Sequence, residues 1–209
     1  MTKEMEREIK LLVTQKDLPK LLANPLLVKA KKNNSQKTLH ILNWYYDTKD
    51  LRLKKQGLAY RIRKTEERYE ATVKTKGHNQ NGFSARGEYT VPLTAKEPVI
   101  KGFDPKIDYV LSRLLMGTDL EELFSVVVTR QICLLTITPK TTLEMAIDKG
   151  EIRTIKGNAP IDELELEIKE GLQEDLFAFV KALKEQIKIT EGTESKWQRG
   201  MLLLAGREK

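Results

Sequence analysis

Cysteine is nearly absent. Cys133 is the only one in 209 residues, so no intrachain disulfide can form and a disulfide-stapled fold is excluded. No apolar run approaches the roughly 20 residues that a membrane helix needs. The opening Met1-Thr2-Lys3-Glu4-Met5-Glu6 also lacks the apolar core of a secretory signal. Only two histidines occur, His40 and His78, without metal-ligand spacing, and neither a GxxxxGKS/T phosphate loop nor a GxGxxG fingerprint is present. These absences point to a cytoplasmic protein with no membrane association. They also move the search for chemistry from thiols and imidazoles to carboxylates, lysines and arginines.

Charge is what the chain has in quantity, with 32% charged and 40% hydrophobic residues, a globular composition. The length suits one domain over residues 1–209, with no linker or repeat to divide it. A net charge of +7 and a pI near 9.3 raise the possibility of nucleic-acid binding. The basic residues are interleaved with acidic ones, however, and form no basic tail. A small polyanion fits that pattern better than nucleic acid, and a homo-oligomer is compatible with it.

The most telling pattern is alternation. Glu4, Glu6, Glu8 and Lys10 take every second position, as do Glu163, Glu165, Glu167 and Lys169 near the far end. Alternate residues of a strand share a face, so carboxylates gather there and repel unless cations stand opposite. Arg61 and Arg63 share one face, and Glu70, Thr72, Lys74 and Lys76 share another. Strands are expected at about 4–12, 38–47, 57–65, 69–76, 84–91, 125–137, 142–149 and 162–169, a number suited to a closed barrel. Helices are expected from Asp17, over 104–115 and over 173–186, the last with a stripe of Leu176, Phe177, Val180 and Leu183. Loops are expected at 31–35, 77–82 and 156–160. The fold class is thus α+β and β-dominated: an eight-stranded antiparallel barrel with a charged lumen, an apolar outer wall and helices packed outside.

Glu6 with Glu8, and Glu165 with Glu167, offer hard oxygen ligands suited to Mg²⁺ or Mn²⁺. One such pair is ordinarily a solvated strand face; two pairs with a complementary basic set favour a lumen. Glu144 and Asp148 share a face across small Ala146, and either extend the acidic wall as further ligands or serve as structural salt-bridge partners. Lys10, Arg61, Arg63, Lys74, Lys76, Arg86 and Arg130 are the phosphate-binding candidates: a guanidinium grips phosphate oxygens bidentately, and an ammonium acts as a point charge. Each taken alone is equally a surface cation. Glu88 shares a face with Arg86 and orients Lys74 or a water, or neutralises a neighbour. Cys133 reads as a packed strand residue, and Trp44, Tyr45 and Tyr46 as packing at a strand end.

Taken in order, these segments resemble the CYTH superfamily, the triphosphate tunnel metalloenzymes, and especially its bacterial inorganic triphosphatase branch. The resemblance rests on the ExExK run Glu6-Arg7-Glu8-Ile9-Lys10, on Tyr45-Tyr46-Asp47-Thr48, Gly57 to Arg63, Thr72 to Lys76 and Arg86 to Tyr89, on Arg130, and on Ile147 to Ile152, Glu163 to Glu167 and Ser195 to Gly200. It implies an eight-stranded tunnel that hydrolyses inorganic triphosphate to diphosphate and phosphate with a divalent metal. By that resemblance Glu6, Glu8, Glu165 and Glu167 are metal ligands, and Lys10, Arg61, Arg63, Lys74, Lys76 and Arg130 are phosphate clamps. Lys196 closes one end of the tunnel from a C-terminal segment. Lys74 with Glu88 is the catalytic candidate that positions or deprotonates the attacking water. Two departures are Arg7 at a position often apolar, and the lack of the CHAD domain carried by some bacterial relatives. Adenylyl cyclase activity, hydrolysis of thiamine or nucleoside triphosphates, and a non-catalytic polyphosphate-binding module are the alternatives.

Overall fold

The computed structural model describes residues 1–14, 16–66, 68–80 and 82–206; Asn81, part of the expected 77–82 loop, lies outside the described residues. The chain opens with β1 (Thr2–Leu12), followed by α1 (Leu18–Leu22), α2 (Pro25–Ala30), β2 (Lys37–Asp47) and α3 (Arg52–Lys55). A meander of β3 (Ala59–Thr65), β4 (Arg68–Lys74), β5 (His78–Gln80) and β6 (Phe83–Leu93) leads to α4 (Pro105–Leu115). Three long strands, β7 (Glu121–Thr138), β8 (Thr141–Thr154) and β9 (Gly157–Glu170), then precede α5 (Gln173–Gln186), β10 (Thr190–Glu191) and α6 (Lys196–Leu204).

Eight of these strands close into an antiparallel barrel in the order β1-β9-β8-β7-β2-β3-β4-β6, with β6 returning to β1. The short β5 and β10 extend it beside β6 and β1. Closure removes the exposed hydrogen-bonding edges that a sheet of this size would otherwise present.

Outside the barrel, helices cover the apolar strand faces. Leu176, Val180 and Leu183 of α5 are buried against Leu11, Leu143, Leu164 and Leu166, a contribution of roughly 1.5–3 kcal/mol for each fully buried side chain. Phe177, expected in that stripe, is instead half-exposed and edge-on to Phe83 at 5.2 Å. On another side, Ile107, Leu111 and Leu115 of α4 pack on Tyr60, Ile62, Ala71 and Val73. Asp104 caps that helix by accepting from the Lys106 amide at 3.0 Å.

Besides β5, which makes strand of His78–Gln80 in the expected 77–82 loop, three expectations change. β8 and β9 run farther than 142–149 and 162–169, so the 156–160 segment is mostly strand: Asn158, Ala159 and Pro160 pair with Arg153, Ile152 and Glu151. β1 pairs with β9 only over residues 164–167, leaving this end of β9 an edge where Pro160 sacrifices no ladder bond to a second neighbour. Next, β4 stops at Lys74, which leaves Lys76 beyond the strand.

The third change concerns the interior, which is not charged throughout. Val128, Val126 and Phe124 continue the inward face of Arg130, and Ile152 continues that of Asp148. With Ile41, Tyr45 and Ile161 they form an apolar cluster closed by Met201 and Leu203 of α6. Thus α6 fills one end of the barrel. Gly200 permits this approach, since a Cβ there would sit 2.2 Å from the Phe124 ring.

Candidate active site

A cavity of about 300 Å³ occupies the charged part of the interior. Its described lining brings together Glu6, Glu8 and Lys10 from β1, Arg61 and Arg63 from β3, Lys74 from β4, and Arg86 and Glu88 from β6. Arg130 from β7, Glu144 and Asp148 from β8, Glu165 and Glu167 from β9, and Lys196 from α6 complete the set anticipated from sequence, apart from Lys76. Lys76 is exposed at the rim, its stem packed against Gly57, whose φ of +70° turns the chain there. Glu4, Glu70, Lys169, Asn43, Tyr45, Ser195 and Trp197 also line the space.

The charges fall into three groups. In the first, Arg86 Nε donates to Glu6 Oε2 at 2.6 Å and Lys74 Nζ to Glu6 Oε1 at 2.6 Å. Lys74 Nζ also lies 2.7 Å from Glu88 Oε2, while Arg61 Nη2 donates to Glu88 Oε1 at 3.1 Å. Burial pushes the Glu6 carboxyl up, but Lys74 and Arg86 overcome this and hold it far below the usual carboxylate range. The Glu88 carboxyl is lowered by the same balance, burial being outweighed by Lys74 and Arg61.

The second group is a knot of three carboxylates, Asp148, Glu163 and Glu165, with oxygens within 4.8 Å of one another. Four cations clasp it. Arg130 reaches Asp148 and Glu165 at 2.6 Å, and Lys196 reaches Asp148, Glu163 and Glu165 at 2.7–2.8 Å. Lys10 lies 2.9 Å from Glu163 and 3.3 Å from Glu165, and Arg199 lies 2.7 Å from Glu163. Burial raises Glu165, yet Lys196, Arg130 and Lys10 drive it well below its ordinary value. Glu163 is held at about 2, burial being outweighed by Lys196 and Lys10.

The third group has fewer such partners, Arg86 reaching Glu8 only at 4.0 Å. Glu8 stands opposite Glu167 across the β1–β9 ladder, and Glu167 stands opposite Glu144 across β8–β9. Burial, reinforced by Glu165 and Glu6, pushes the Glu8 carboxyl up to about 7 despite Lys10 and Lys74. Burial likewise raises Glu167, only partly offset by Lys169 at 2.9 Å. Hard oxygen donors short of positive charge fit Mg²⁺ or Mn²⁺. Arg130 and Lys196 already neutralise Asp148, which fits its salt-bridge alternative, whereas Glu165 also acts on Glu8, whose carboxyl it helps push up, and so borders both groups.

Across the cavity the deficit is of acceptors. Arg61 Nε is buried without a hydrogen-bond partner among the described residues. Arg63 donates to Asn43 at 2.9 Å and meets Glu70 only at 3.8 Å; burial, with Arg61 and Arg130 nearby, brings its guanidinium down to about 10. These are the groups an incoming anion would satisfy.

The CYTH domain profile matches residues 4–201. The chain belongs to the CYTH domain family. It is 32% identical over 207 residues to the inorganic triphosphatase of Haemophilus influenzae, an alignment covering 95% of this chain and 54% of that protein. The CYTH chain therefore spans about half the length of this relative. Among solved structures, a Bacillus halodurans protein described as a candidate adenylate cyclase superposes with a TM-score of 0.61 at 22% identity, covering 95% of this chain and 98% of its own. A Hippeastrum protein, studied as a candidate adenylyl cyclase and described as having a dominant triphosphatase activity, gives 0.60 at 20% identity over 98% of both chains. The CYTH barrel is the fold common to them.

Not among the candidates from sequence were Glu163, which holds Lys10 at the cavity wall, Arg199, which donates to Glu163, and Asn43, which lines the cavity and accepts from Arg63. Glu163 continues the alternation of Glu165 and Glu167, so the signal was present. Arg199 is placed by α6, whose start is marked by the capping box of Ser195 and Gln198. Elsewhere, His40 meets Thr129, His78 is exposed, and Cys133 is buried in apolar packing, all apart from the cavity.

Proposed function

We propose that this protein hydrolyses inorganic triphosphate to diphosphate and phosphate, with a divalent cation, Mg²⁺ or Mn²⁺, bound by Glu6, Glu8, Glu165 and Glu167 and supported by Glu144. The observation that carries this reading is the charge balance of the cavity: its described lining holds nine carboxylates and eight cations. A pocket so nearly balanced gains little from bulk attraction for a multiply charged anion. Its ligand needs added positive charge, and the Glu8, Glu144 and Glu167 group is where that charge is wanted. Family membership and the Haemophilus relative point to the same chemistry.

Arg61, Arg63, Arg86, Arg130, Lys10 and Lys196 surround the space in which the phosphates would lie, and their fixed positions favour charge developing during transfer. A bound divalent metal would supply Lewis-acid neutralisation of phosphate oxygens. Lys74 and Glu88, 2.7 Å apart, hold the attacking water in line with the terminal phosphorus. Water oxygen bonds to that phosphorus as the bond to the bridging oxygen breaks and diphosphate leaves, the proton the water gives up passing to the Glu88 carboxylate beside Lys74. A cytoplasmic setting accords with one buried thiol and with no helix, among the described residues, long and apolar enough to cross a membrane.

The test is a phosphate-release panel with inorganic triphosphate, ATP, thiamine triphosphate and longer polyphosphate, with Mg²⁺, with Mn²⁺ and after chelation. Metal-dependent release from inorganic triphosphate is expected. Equal turnover after exhaustive chelation, or conversion of ATP to cyclic AMP in preference, would overturn the reading.

A further inference from the structure

Helix α6 begins against its own dipole. Its first turn contains no acidic residue, and Lys196 and Arg199 stand near the end where the backbone is already positive. On its own such a start is unfavourable. The barrel supplies the missing anions: Lys196 lies within 2.7–2.8 Å of Asp148, Glu163 and Glu165. Of these three, Glu163 alone contacts both α6 cations. Its Oε2 accepts from Lys196 at 2.7 Å and from Lys10 at 2.9 Å, and its Oε1 accepts from Arg199 at 2.7 Å. Its side chain is 1% exposed. Neither Glu163 nor Arg199 is among the described residues lining the cavity, whereas Lys10, Lys196 and the adjacent Trp197 are.

We propose that Glu163 is a positioning residue that docks the start of α6 on the barrel and thereby aims Lys196 and Lys10 into the cavity. The proposal rests on the triphosphatase reading only in assigning those two lysines to phosphate. Without Glu163, two carboxylates remain for four closely placed cations, Lys10, Arg130, Lys196 and Arg199. Their repulsion acts between α6 and the barrel, so the helix start is the part that yields. Arg199 keeps a second anchor, donating to the Pro160 carbonyl, so the loss loosens the helix without freeing it.

Trp197 makes the docking measurable. The chain has two tryptophans, and Trp44→Phe leaves Trp197 as the only one, beside Lys196. In that background Glu163→Gln is expected to raise acrylamide quenching of Trp197 in the absence of any ligand. It should also raise the KM for inorganic triphosphate by at least about tenfold while kcat changes less than about threefold. Glu163→Asp, which keeps the charge, should recover part of both. A lowered melting temperature with quenching and KM unmoved would reduce Glu163 to a structural ion pair and overturn the proposal. Should Glu163→Gln fail to fold, Arg199→Gln removes the helix-side partner together with its bond to the Pro160 carbonyl, at a partly exposed position, and unchanged quenching there overturns the proposal equally. If the unmodified protein releases no phosphate from triphosphate, the functional reading falls while the quenching comparison still decides the docking role.

Discussion

Glu8 and Glu167 face each other as a like-charged cross-strand pair inside the barrel, in register between β1 and β9. Directly opposed like charges destabilise a sheet unless something neutralises them. Glu8 is buried and Glu167 partly buried, with Glu144 next in line across β8. Elsewhere in the cavity each acidic cluster is matched by lysines and arginines. This row is therefore the part of the site whose stability depends on protonation or on a bound cation.

The dependence has a definite sign. Glu8 titrates at its ordinary 4.5 when unfolded and at about 7 when folded. Between those values the folded chain keeps a proton that the unfolded chain releases, so this group's contribution to stability declines as pH climbs through that window. Glu163, held at about 2, acts oppositely, and its contribution is lost as pH falls below 4.5 towards 2. Glu8→Gln should therefore flatten the loss of metal-free stability between about pH 5 and 7, measured by thermal unfolding. Above pH 7, Mg²⁺ or Mn²⁺ should raise the melting temperature of the unmodified protein clearly more than that of the variant. Identical pH profiles and identical metal responses would leave Glu8 without either role.

Glu165→Gln separates the two acidic groups. Seen only as a metal ligand, Glu165 could lose its charge with little effect on folding. The structure places it against Lys10, Arg130 and Lys196, and breaking a buried ion network by removing one partner costs on the order of 3–5 kcal/mol. Activity should fall, and chemical denaturation should show a loss of stability larger than for Glu144→Gln. A Glu165→Gln protein as stable as the unmodified one would mean that the neighbouring cations rearrange freely.

How far this could be foreseen depended on whether a signal was local. Period-two charge in β1 and β9 identified the lumen face, because carboxylates at alternate positions have few other places to go. Lys74 and Glu88 were paired on paper, and the β4–β6 register puts them opposite each other. The apolar alternation of Phe124, Val126 and Val128 carried no such direction. An apolar face can look outward to a helix or inward to one, and only α6 inside the barrel end decides it. Lys76 was misplaced for a local reason, since β4 ends before the alternation does. Glu163 continued a visible pattern, but its weight comes from Arg199 and Lys196, brought to it from a distant helix.

Substrate preference follows from the lining. Charged side chains dominate it, and its aromatic members, Tyr45 and Trp197, lie where α6 and the apolar end meet the cavity. Inorganic triphosphate is expected to be turned over with a kcat/KM at least about tenfold above that for ATP under the same metal concentration. Steady-state phosphate release with the two substrates checks this. A higher efficiency for ATP would assign an organic moiety to the cavity and move the protein towards nucleotide chemistry.

Lys74 and Arg61 meet the same carboxylate from opposite sides, Glu88 Oε2 at 2.7 Å and Oε1 at 3.1 Å, yet they should fail differently. Arg61 retains a buried Nε with no hydrogen-bond partner among the described residues, the donor that the proposed function assigns to phosphate before and during transfer. Its replacement by Ala should raise KM as well as lower kcat/KM. Lys74 has its contacts with Glu6 and Glu88, and the proposed function assigns it to the attacking water. Lys74→Ala should chiefly lower kcat, by about a hundredfold, the lower end of what a positioned proton-handling group contributes. Folding of both variants is checked first by thermal unfolding, because each substitution removes one of the two cations on Glu88. An unchanged kcat with only a raised KM for Lys74→Ala would make Lys74 a phosphate clamp and remove Glu88 from water handling altogether.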